Sequence, residues 1–143
     1  MNVQNTTQGL LIYLAMSLHL LAFTLFMARR RRLGRLAYAA GFTAALGALL
    51  IRCRHVEHPP LQAMFDVFLV LGALFFPLSV FCRRVLRTGG EAFDALLAVV
   101  VLWPVGFVFD ARITPLPPAL QSPVFMPHVL AYVLSYIFMA KAA

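Results

Sequence analysis

Apolar positions run along this chain in five long stretches, at residues 9–27, 36–51, 61–82, 92–109 and 128–143, separated by short basic or proline-rich segments. A bilayer's hydrocarbon core is about 30 Å thick, so a helix crosses it with roughly 20 apolar residues. The stretch 9–27 meets that length without a charge, 61–82 is ample, and 92–109 qualifies despite Asp94 near its start. The stretch 36–51 is shorter, and a helix from Val129 to Ala143 reaches only about 22 Å at about 1.5 Å per residue. Lys141 snorkelling to the interface would complete that last crossing, as would continuation into a longer protein. The pattern predicts an all-α, polytopic membrane helix bundle of about five transmembrane helices, one domain over 1–143, expected to be the N-terminal part of a longer protein.

Composition supports this reading, because 62% hydrophobic and 12% charged residues leave a soluble domain of this size nowhere to put its apolar surface. The net charge of +7 resembles a nucleic-acid footprint only until its placement is read. Arg29, Arg30, Arg31, Arg32 and Arg35 form one block and Arg83, Arg84 and Arg87 another, each directly after an apolar run. That is the pattern of cytoplasmic loops, and it excludes nucleic acid as the expected partner. It predicts an N-terminus outside and a C-terminus inside. The first stretch lacks the basic n-region and small-residue cleavage site of a signal peptide, so it is read as a helix.

The predicted topology sorts the chemistry by side. Seven of nine prolines (Pro59, Pro60, Pro115, Pro117, Pro118, Pro123 and Pro127) and three of four histidines (His55, His58 and His128) fall in the two outer loops. The inner loops hold arginines that serve as orientation signals, without a glycine-rich phosphate loop. Cys53 and Cys82 are expected at opposite membrane faces, where no disulfide can join them, and neither lies in a CxxC or CxxCH pattern. Ala37, Gly41 and Ala45, like Ala40, Ala44 and Ala48, recur every fourth residue, which lets helices approach closely in lipid and predicts a central or wedged second helix. Pro77 and Pro104 are expected to kink their helices. His19 lies within the first helix, where a hydrogen bond to a neighbouring helix and a functional role are both open.

Two outer segments carry the candidate chemistry. Residues 116–129 read LPPALQSPVFMPHV, a proline-stiffened loop leading to His128 at the mouth of the last helix; residues 58–69 read HPPLQAMFDVFL, with His58 and two prolines opening the third helix. Gln62 and Asp66 lie four residues apart on one face of that helix. An interfacial neutral imidazole at His128 can bind haem iron axially or simply cap the loop. The prolines lower the entropy cost of ordering the loop, whose Leu116, Leu120, Val124 and Phe125 can cover an apolar ligand. Arg52, Arg54 and Arg112 are the outer cations, suited to carboxylates or to anionic lipid.

Together these segments resemble the integral-membrane cytochrome c assembly family, the haem-handling half of the system II cytochrome c synthase, over about Arg52 to Tyr136. The resemblance implies His128 as an axial ligand to haem b, with His58, Gln62, Asp66 and Arg112 as supporting residues. The family commonly has glutamate where Asp66 stands. It further implies a bacterial inner-membrane protein with a periplasmic working face, a second membrane subunit as partner, and an apocytochrome c CxxCH segment as acceptor. The family's complete complex has haem lyase or synthase chemistry driven by orientation. This chain has a single tryptophan, Trp103, and lacks the family's tryptophan-rich segment, so it is expected to be inactive alone. The alternatives are a non-catalytic haem-binding or accessory subunit and a transporter segment.

Overall fold

The structure is a computed structural model that describes residues 6–55, 63–109 and 124–142. These form five helices and one π-helical turn: α1 (Thr7–Met27), α2 (Arg31–His55), α3 (Met64–Phe81), the π turn (Cys82–Leu86), α4 (Glu91–Phe107) and α5 (Phe125–Ala142). No strand occurs among the described residues. The helix α1 starts where Thr6, in extended backbone, accepts a hydrogen bond from the Gly9 amide at 3.2 Å, satisfying one of the donors a helix start leaves open. It ends in a Schellman-type turn, with Arg29 in the left-handed region at φ 57° and the Arg30 amide reaching back to the Leu25 carbonyl at 2.9 Å.

Helix α2 begins at Arg31, five residues before its apolar stretch. Arginine is a good helix former, so hydropathy places the boundary at the lipid edge rather than at the helix end. Glycines set the spacing between α1 and α2. A Cβ at Gly34 would lie 2.8 Å from the Phe26 ring, one at Gly41 2.7 Å from the His19 ring, and one at Gly47 3.4 Å from Leu11. These pairs run in opposite chain directions, so the two helices are antiparallel and in backbone-close contact, as expected of small residues in membrane packing.

The same reasoning orders the remaining helices. Tyr38 and Phe42 of α2 pack on Phe76 of α3, Gly72 of α3 meets Leu102 of α4, and the Tyr13 hydroxyl of α1 donates to the Gly106 carbonyl of α4 at 2.7 Å. The helices α1 to α4 therefore close a four-membered, up-down ring. Its core contains Ile12, Ala15, Ala45, Ala48, Phe65, Leu69, Leu102 and Val105. Instead of being central, α2 forms one corner of this ring; its small residues serve the close seam with α1. Helix α5 lies along the α3/α4 side, where Val133 and Ile137 pack with Phe75 and Ala98, and its other face is exposed.

Both internal prolines lie within helices that continue beyond them. Helix α3 continues past Pro77 into the π turn, and α4 continues past Pro104 to Phe107, where the amides of Val108 and Phe109 both reach back to the Pro104 carbonyl. Among the described residues, three helical spans, Thr7–Met27, Arg31–His55 and Met64–Leu86, are long and apolar enough to cross a membrane. The predicted membrane character thus holds at that level. Helices α4 and α5 have 17 and 18 residues.

Candidate functional site

The polar side chains inside this apolar bundle gather in three places. At the end where α2 leads into α3, Arg52 Nε donates to Asp66 Oδ1 at 2.7 Å, with side chains only 5% and 4% exposed. Helix geometry brings them there: Arg52 lies in the last turn of α2 and Asp66 in the first turn of α3. The guanidinium also lies over the Phe65 ring, 5.1 Å from its centroid, a cation–π contact strengthened by desolvation. Asp66, which the resemblance makes a supporting residue of the outer site, is turned into the bundle and paired with Arg52. That engagement makes Arg52 a structural cation rather than an open ligand group.

The second place is at the opposite end. Asp94 Oδ2 accepts from Ser79 Oγ at 2.6 Å and from Lys141 Nζ at 2.5 Å, joining α3, α4 and α5. Lys141, expected to snorkel outward, points inward because the otherwise uncompensated carboxylate of Asp94 is almost fully buried.

Between these ends lies His19, fully buried. Its Nδ1 lies 2.6 Å from the Ala15 carbonyl of its own helix. A carbonyl can only accept, so Nδ1 is the donor. Neither His19 Nε2 nor the buried Tyr38 hydroxyl has a hydrogen-bond partner among the described residues. The two rings meet edge to face with centroids 5.3 Å apart. The histidine's bond is thus to α1 itself rather than to a neighbouring helix.

His128 stands apart from all three. It lies in the first turn of α5, exposed, its ring edge-on to Tyr132 with centroids 4.7 Å apart and planes at 83°. The antiparallel run of α4 and α5 puts it at the same end of the bundle as Asp66, but Asp66 is hydrogen-bonded to Arg52 and not to His128. His58, Gln62 and Arg112, and the proline-rich stretch 110–123, lie outside the described residues. Among the described residues, no group of three or more histidine, cysteine or acidic side chains is placed to hold a metal ion. Haem iron takes an imidazole as one of several kinds of axial ligand, and His128 is an exposed imidazole. Exposed Tyr132 and Val124, one turn either side of it, supply aromatic and apolar surface.

Sequence reasoning named Asp66, Arg52, Asp94 and Lys141 singly and missed that they form two pairs. The signal was available: two acids and two bases lie inside or at the ends of apolar helices, and unpaired charges there are costly. Ser79 and Tyr38 carried no such signal. No protein-family model, no curated protein and no solved structure matches this chain.

Proposed function

We propose that the chain is a haem-handling module of a membrane cytochrome c maturation system, with His128 as an axial ligand that presents haem b at the membrane face. The observation that carries this reading is the state of His128: an exposed imidazole at a helix mouth, braced by Tyr132 and unclaimed by any hydrogen bond among the described residues. Arg54 is exposed at the same end and suits a haem propionate, since Arg52 is engaged by Asp66. On this reading haem is substrate, the acceptor is an apocytochrome c CxxCH segment, and orientation of the two is the catalytic device.

The proposal includes five membrane crossings with the N-terminus outside. Arginines of the α1–α2 turn and the π turn would then face the cytoplasm and His128 the periplasm of a bacterial inner membrane. A second reading, a non-catalytic haem-binding or accessory subunit, is favoured by α5. Its Leu130, Tyr132, Tyr136, Phe138 and Met139 are exposed, a surface suited to a second membrane subunit that supplies the remaining haem ligand.

The test is haemin titration of the detergent-purified chain, following the Soret band. His128→Ala is expected to weaken and shift that band. His55→Ala is the control, because His55 is also exposed and its ring already lies 2.7 Å from the Ile51 carbonyl. An unchanged spectrum in His128→Ala removes it from the ligand set and the proposal with it.

A further inference from the structure

A cavity of about 440 Å³ opens between the last turn of α1 and the link from the π turn to α4. Arg31, Arg83 and Arg87 line it, together with Phe26 and the amino end of α4. One carboxylate answers these three guanidinium groups. Glu91 Oε1 lies 3.3 Å from Arg83 Nε, and Glu91 Oε2 lies 4.0 Å from Arg35 Nε. Neither Arg31 nor Arg87 has an acidic partner among the described residues.

The backbone holds the cavity open. Arg87 adopts the left-handed conformation at φ 53° with its amide bonded to the Cys82 carbonyl, and the chain then turns through Gly89 and Gly90. A Cβ at either glycine would meet no atom within 4 Å. Gly90 offers no side chain to cap α4; of the two acidic residues in its first turn, Asp94 is buried with Ser79 and Lys141, so Glu91 is the one at the cavity, beside the positive end of the helix dipole. One wall is apolar: Phe26 and Met27 line the cavity, and Met27 is exposed.

We infer that this cavity binds the phosphate group of an anionic ligand, held by Arg31 and Arg87 and by the amino end of α4. Guanidinium groups match phosphate oxygens in bidentate geometry. Basic pockets between membrane helices are suited to anionic headgroups, and the apolar wall accommodates acyl chains. A phospholipid is therefore the favoured source of the phosphate. A choline headgroup would add a cation to a site already in positive excess, so a net anionic lipid is selected. This inference is independent of haem handling.

The test uses the full chain in detergent, incubated with equal amounts of phosphatidylglycerol and phosphatidylcholine and examined by native mass spectrometry, with inorganic phosphate in a parallel thermal-shift titration. Preferential retention of phosphatidylglycerol is expected. The double variant Arg31→Gln, Arg87→Gln should lower that retention about thirtyfold, and Glu91→Gln should raise it. Arg29→Gln with Arg30→Gln removes the same charge from residues that do not line the cavity and should change little. A phosphate-induced shift that the cavity variant abolishes, without lipid preference, supports the phosphate site and assigns it to a soluble source. Equal retention of both lipids with no phosphate effect overturns the inference, as does an equal loss from both arginine pairs, which would show diffuse attraction. If the cavity variant does not fold, unchanged retention in Glu91→Gln overturns it.

Discussion

Arg52 Nε lies 2.7 Å from Asp66 Oδ1, so the last turn of α2 and the first turn of α3 are joined by an ion pair that is almost wholly shielded. Removing one partner of such a pair leaves the other charge buried and costs about 3–5 kcal/mol, whereas replacing both by apolar groups is often neutral. Asp66→Ala and Arg52→Ala are each expected to lower the unfolding temperature sharply in detergent. The double substitution Arg52→Met, Asp66→Leu should restore most of it. Additive losses in this double-mutant cycle would show that the two charges do not act as a pair.

At the other end, Lys141 is the cation given to Asp94. Lys141→Met leaves that carboxylate with Ser79 alone, and the loss is expected to fall on the docking of α5. Hydrogen exchange should rise along Val133 to Ile137 while α1 and α2 keep their protection. Protection lost uniformly across all five helices would contradict this local role.

The seam between α1 and α2 is tightest at Gly41. A Cβ there would lie 2.7 Å from the His19 ring, which is held by its bond to Ala15, whereas at Gly47 it would lie 3.4 Å from a flexible Leu11 terminus. Gly41→Ala is therefore expected to cost about 1–3 kcal/mol through overpacking, and Gly47→Ala much less. Unfolding in a denaturing detergent titration ranks the two; equal effects would place the close contact elsewhere.

His19 carries a buried Nε2 without a partner among the described residues, and an unsatisfied buried polar atom costs about 1–3 kcal/mol. His19→Leu, close in size, should leave stability unchanged or higher. If the substitution instead unfolds the chain, the imidazole makes an interaction that matters more than its burial.

Cys53 is exposed and Cys82 is buried. In sealed right-side-out vesicles a membrane-impermeant maleimide is expected to label Cys53 and to spare Cys82, even after Cys53→Ser. Labelling of Cys53 only after the vesicles are opened would reverse the proposed orientation.

Much of the scaffold was legible because lipid imposes simple rules. Apolar length located the helices, and α1 ends at Met27 as the pattern predicts. The start of α2 was misplaced because hydropathy reports where lipid begins, while Arg31 to Arg35 continue the helix beyond it. Small residues at fourfold spacing marked a close seam correctly but did not say which helix lies across it.

What the sequence by itself determined is the material of the protein: apolar helical segments, the two arginine blocks, and a histidine after Pro127 at a helix mouth, all set by local composition and spacing. Tertiary structure decided the partners. Arg52 and Asp66 are 14 residues apart, and Lys141 and Asp94 are 47 apart; each pair meets only because antiparallel packing brings distant turns to one level of the bundle. The arginine-lined cavity is of the same kind, for its residues come from α1, α2, the π turn and α4. Chain spacing encodes what a residue is and which local face it occupies, but the charge that faces it across an apolar interior is fixed by helix order and depth.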